Sequence, residues 1–171
     1  MDAGIAALLG AALGSFTTLG AAVLNGRAQA RTQSAQWHRQ QRRDAYAVYL
    51  GALHDRDIAL DAVLEALRAE RPDLAEVDER VRRFIGLARE VHRATEIVII
   101  EGPASMAEAA ERVQHASERL SEVMRRMVED ARAGDTARKA EAEAAVVERE
   151  RRLYETVKEF RAKARDVLGA G

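Results

Sequence analysis

The chain has 171 residues, the size of one domain, and 32% of them are charged, which excludes a protein wholly embedded in a membrane. Eleven Gly and two Pro are too few turn formers for an all-β or α/β fold, whereas 35 Ala with abundant Leu, Glu and Arg is a helix-forming composition. Cys is absent, which excludes disulfides and Cys-based metal or redox sites, and the net charge of −1 conceals an uneven spread: five Arg against one Asp over 1–43, two Arg against six acidic groups over 44–70.

Residues 3–25 (AGIAALLGAALGSFTTLGAAVLN) carry no charge. As a helix, such a run is about 34 Å long at ~1.5 Å per residue, against a hydrocarbon core of about 30 Å. The segment predicts a transmembrane anchor over residues 1–25. Two other readings stay open: a buried Ala/Gly-rich core helix, and a signal peptide cleaved near Ala28-Gln29-Ala30. Asp2 and the lack of a basic residue before the apolar run argue against cleavage. After the run come Arg27, Arg31, Arg39, Arg42 and Arg43 before the next acid, Asp44. The positive-inside rule then places the N-terminus outside the cell membrane and the rest in the cytoplasm. Gly10 and Gly14 form a GxxxG spacing, extended by Ala6 and Thr18. Small residues at that step let two helix backbones approach, so they point to a homodimer or to packing against another membrane helix.

Residues 26–43 read as a basic juxtamembrane stalk without a broad apolar face. Their Arg side chains suit anionic lipid headgroups, at about 1 kcal/mol per basic residue near the surface. No nucleic-acid motif accompanies the run, so nucleic-acid binding is not expected.

Breakers divide the remainder. Arg71-Pro72-Asp73, Gly102-Pro103 and Gly134-Asp135 separate helices predicted over about 27–70, 74–100, 104–133 and 135–168, with Asp135 as the N-cap of the last. Each helix has a seam at alternating spacings of three and four. The first runs Tyr46, Leu50, Leu53, Asp57, Leu60, Leu64, Leu67. The second runs Val77, Val81, Phe84, Ala88, Val91, Thr95, Val98. The third runs Met106, Ala110, Val113, Ser117, Leu120, Met124, Met127. The fourth runs Val146, Glu150, Leu153, Val157, Phe160, Ala164, Val167, and its first half is the weakest. Short loops imply antiparallel neighbours. The expected fold is all-α: an N-terminal transmembrane helix followed by an antiparallel bundle of about four long helices over 44–171. In that topology Arg161, Lys163 and Arg165 return beside Arg42 and Arg43. The two basic segments would share anionic lipid or an acidic partner, unless Glu159 and Asp166 neutralise them locally. The acidic stretch 44–70 is expected to pair with the Arg-rich middle of the last helix.

Constellations for chemistry are sparse. His54, His92 and His115 lie on three helices, but the Glu-x-x-His pattern of bundle di-metal sites is absent. No phosphate loop or nucleophile motif occurs. Catalytic residues, metals, cofactors and a small-molecule substrate are therefore not expected. Asp57 interrupts its seam and is expected to reach solvent by a slight helix rotation; Met106, Met124 and Met127 are expected in the core.

The Gly/Ala-rich segment 4–24, RRDAYAVYL at 42–50 and EIVIIEGPASMAEAA at 96–110 together resemble small single-pass proteins of unknown function common in actinobacteria. The resemblance implies architecture alone and carries no functional residue. The combined expectation is a non-enzymatic, membrane-anchored scaffold or adaptor with an unidentified protein partner. Its alternative is a soluble or exported helical-bundle binding protein whose first helix is buried or cleaved.

Overall fold

The computed structural model describes the backbone of residues 2–169 and the side chains of residue 29 and residues 32–169. It is all-α, with α1 (Asp2–Arg68), α2 (Leu74–Glu101), α3 (Ala104–Ala133) and α4 (Lys139–Leu168), and no strand among the described residues. The chain divides into two units, residues 1–40 and 41–171. In the first, side chains 32–40 are solvent-exposed, and the Trp37 ring stands edge-on to His38 at 5.1 Å. The anchor expected over 3–25 lies outside the described side chains. Among the described residues, no helix is long and apolar enough to cross a membrane.

The second unit is the antiparallel four-helix bundle. Arg42 Nε donates to Glu101 O at 2.8 Å and Arg80 Nη1 to Ala62 O at 2.6 Å, which fixes α1 against α2 in opposite directions. Arg132 meets Asp78 across α3 and α2 at 2.6 Å, and Arg112 meets Glu159 across α3 and α4 at 3.7 Å. These pairs are largely exposed and contribute about 0–1 kcal/mol each. Apolar burial supplies the cohesion.

The seams pack as their periodicity demands. Every seam residue of α3, from Met106 to Met127, is buried. The core falls into two clusters. One joins Tyr46 and Tyr49 of α1, Val91 and Val98 of α2, Met106 and Val113 of α3, and Phe160 and Ala164 of α4. The other joins Val63 and Leu67, Val77 and Phe84, Leu120 and Met124, and Val146. Leu153 touches both. α4 thus gives each cluster an end and leaves its middle half-buried, in keeping with its weak seam.

The turns show why the helices stop where they do. Asp73 caps α2, its carboxylate accepting from Ala75 N at 2.9 Å and Glu76 N at 3.5 Å. Gly134 ends α3 with φ 67°, a left-handed conformation that glycine adopts without a Cβ penalty. Asp135 does not cap α4. Its carboxylate accepts from Ala137 N at 2.9 Å in a local turn, and the helix begins four residues later than expected, at Lys139. The side chain bonds its own backbone two residues on, which spends the cap before the helix starts.

Candidate functional site

Two regions of the bundle gather polar groups. The first is the end where residue 41 enters. Ala45 and Ala164 share a core cluster, with Val167 and Leu168 packed against it, and the Tyr46 ring meets Phe160 at 5.9 Å and 82°. The last turns of α4 therefore lie beside residues 42–46. Arg42 is half-buried, and its Nε is engaged on the C-terminal carbonyl of α2; Arg43, Arg161 and Arg165 are exposed, with Lys163 half-buried. Glu159 faces α3 and pairs with Arg112. Asp166, the other acidic residue of this turn of α4, is exposed. Arg39 is exposed, with Nε on Ala35 O at 3.4 Å. The side chains of Arg27 and Arg31, and the small-residue face Ala6, Gly10, Gly14 and Thr18, lie outside the described side chains.

The second region is a cleft of about 400 Å³ between α1 and α4, at the waist separating the two core clusters. It forms because three seams carry a polar residue at one level: Asp57 on α1, Ser117 on α3 and Glu150 on α4 all line it. Its walls are the half-buried Leu50, Leu53, Leu153 and Val157. Phe84 lies at its base, and Tyr154, 66% exposed, stands on its rim.

Arg56 anchors the base. Its guanidinium carbon lies 4.7 Å from the Phe84 ring centroid, an attractive cation–π geometry. Nη2 donates to Ser121 Oγ at 2.8 Å, and Ser121 Oγ donates to Ser117 O at 2.8 Å. Nε is buried with no hydrogen-bond partner. Burial lowers the Arg56 pKa, while Glu118, Asp57 and Tyr49 pull it back up. Tyr49, wholly buried above this layer, is pushed up to about 12 by burial, against the opposing pull of Thr95 and Arg56.

Among the described residues, Asp57 and Asp61 of α1 form no ion pair with an arginine of α4, and Glu65 pairs with Arg68 on its own helix. Asp57, Asp61 and Glu150 share the cleft mouth instead. Burial, then Asp61, raises the Asp57 pKa; burial, then Asp61 and Asp57, raises that of Glu150. The physical reason is rotational. Turning Leu153 and Val157 toward the core brings Glu150 with them, one turn away, and sends Arg151 and Arg152 outward. Arg151 then pairs with Glu148 on its own helix at 3.0 Å. Asp57 itself is exposed, as a slight helix rotation requires. The group that turns inward is its neighbour Arg56, which seam spacing did not single out. The available signal was the alignment of polar breaks at Asp57, Ser117 and Glu150.

His54 lines the cleft, and His54, His92 and His115 are all exposed. Among the described residues no three His, Asp or Glu side chains are placed to hold a metal ion. Compared with known proteins, the chain matches no family model, no curated protein and no solved structure.

Proposed function

We propose that the chain is a non-enzymatic, membrane-anchored helical scaffold. Residues 3–25 hold it to the cell membrane and pair through the face of Ala6, Gly10, Gly14 and Thr18. The bundle stands in the cytoplasm and presents its surface to a protein partner. The observation that supports this reading best is the return of α4 beside residues 42–46. It gathers Arg42, Arg43, Arg161, Lys163 and Arg165 at the end from which the uncharged segment leads off, where anionic headgroups would meet them. The architecture is the one implied by the resemblance to small single-pass actinobacterial proteins.

The test is membrane topology of the full-length protein in cells. Membranes are washed with alkaline carbonate, and protease access to the C-terminus is measured from outside. Retention with a protected C-terminus is the expected result. Release by carbonate would overturn the anchor and favour a soluble or exported binding bundle. Retention with an exposed C-terminus would reverse the orientation.

A further inference from the structure

The α1–α4 cleft combines two features that oppose each other unless something covers them. Leu50, Leu53, Leu153 and Val157 are left half-buried along its walls. Asp57, Asp61 and Glu150 crowd its mouth, and among the described residues no cation forms an ion pair with any of them. The one cation built into the base, Arg56, is turned toward Phe84 and Ser121. The opening is elongated: residues 50 to 61 of α1 line it, a distance of about 16 Å at ~1.5 Å per residue. Its charge is graded, with the three carboxylates toward one end and Arg161 at the other.

We propose that this cleft docks a basic amphipathic helix of a partner protein. Apolar side chains of the partner, at helical spacing, enter between α1 and α4. Lysine or arginine side chains toward one end of the partner meet Asp57, Asp61 and Glu150. Length favours a helix over a small organic cation, because a leucine-lined trough three turns long matches an i, i+3, i+4, i+7 stripe. Charge selects the sign of the partner, since an acidic helix would add like charge to an unpaired acidic mouth. The graded charge sets the direction in which the partner lies. This inference names the partner-binding face of the proposed scaffold and rests on that reading for its biological setting. Docking itself does not require a bilayer.

The experiment uses the full-length protein in uncharged detergent. The probe is a fluorescein-labelled 14-residue helical peptide with a leucine stripe and lysines at one end; its counterpart carries glutamates in their place. Fluorescence anisotropy at low and moderate salt reads the affinity. The lysine peptide is expected to bind at least tenfold more tightly than the glutamate peptide, and more weakly as salt rises. The triple variant Asp57→Asn/Asp61→Asn/Glu150→Gln is expected to lose that tenfold preference. It keeps its fold, because it removes charges that repel one another. A matched triple on the exposed face of α3, Glu111→Gln/Glu122→Gln/Glu129→Gln, is expected to bind as the parent does. Equal binding of both peptides, or equal weakening by the two triples, would overturn the proposal. So would a parent dimer that the cleft triple dissociates and the lysine peptide does not, because the occupant would then be a second copy of the chain. Carbonate extraction tests the anchor separately, so failure of the anchor and failure of the cleft are distinguishable.

Discussion

Single residues show how tightly the core cluster around Tyr46 and Met106 is built. Gly102 joins α2 to α3, and a Cβ added there would sit 2.7 Å from Val98 O and 3.1 Å from both Met106 Cβ and the Tyr46 hydroxyl. All three neighbours belong to packed helices, and Val98 O and Met106 Cβ cannot step aside without moving the turn. Gly102→Ala is expected to destabilise the bundle by about 1–3 kcal/mol, read as a lower midpoint in urea with an unchanged slope. Tyr49 makes the opposite case. Its ring packs 4.9 Å from Phe160, but its buried hydroxyl is left without a well-formed hydrogen bond, because the neighbouring Thr95 hydroxyl, which still favours the phenolate, donates to Val91 O at 2.9 Å. Tyr49→Phe keeps the ring and removes a desolvated group, so stability at pH 7 is expected to stay level or rise, within about 1 kcal/mol. The raised Tyr49 pKa adds a sign. Ionisation is harder in the folded protein, so the phenol destabilises it as pH rises from about 10 toward about 12. Tyr49→Phe should therefore unfold at higher pH than the parent, and an identical alkaline midpoint would contradict the burial argument.

At the scale of elements, the helices are separated by turns whose chemistry is local. Asp73 satisfies two amide donors at the start of α2. Asp73→Ala is expected to cost about 1 kcal/mol, and thermal unfolding followed by helical circular dichroism measures it. Neither α3 nor α4 has a side-chain cap, so no equivalent loss is expected at Asp135, whose carboxylate serves the turn. This contrast was only half legible in the sequence. Asp73 and Asp135 both follow a breaker and both precede a helical pattern. The difference is Thr136, Ala137 and Arg138, which complete a turn before the helical hydrogen bonds begin.

For the bundle as a whole, the interruption of the core at the waist governs the response to pH. Asp57 and Glu150 have pKa values raised by burial and by neighbouring carboxylates. A raised carboxyl pKa means that the folded state binds protons more tightly than the unfolded chain. At neutral pH these groups therefore oppose folding, and the opposition fades as pH falls through their raised values toward the ordinary range near 4. Asp57→Asn/Glu150→Gln is expected to melt higher than the parent at pH 7, with the gap closing toward pH 4. A gap that is constant with pH would show that packing, not charge, produces it.

The four-helix order, the seams and the breakers were legible in the sequence because they rest on short-range physics. Spacings of three and four mark a buried stripe, glycine tolerates the left-handed backbone at Gly134, and α3 buried its whole predicted seam. The return of Arg161, Lys163 and Arg165 beside Arg42 followed from loop length alone. What the tertiary structure decided was rotation. A seam marks which stripe turns inward to within a few tens of degrees, and at the edge of a stripe that margin decides between burial and solvent. It turned Arg56 inward, half-buried, in preference to Asp57, set Glu150 against Asp57 and Asp61 rather than an arginine against them, and opened the α1–α4 cleft. Those outcomes depend on how four stripes of unequal width close around one another, and no single helix carries that information.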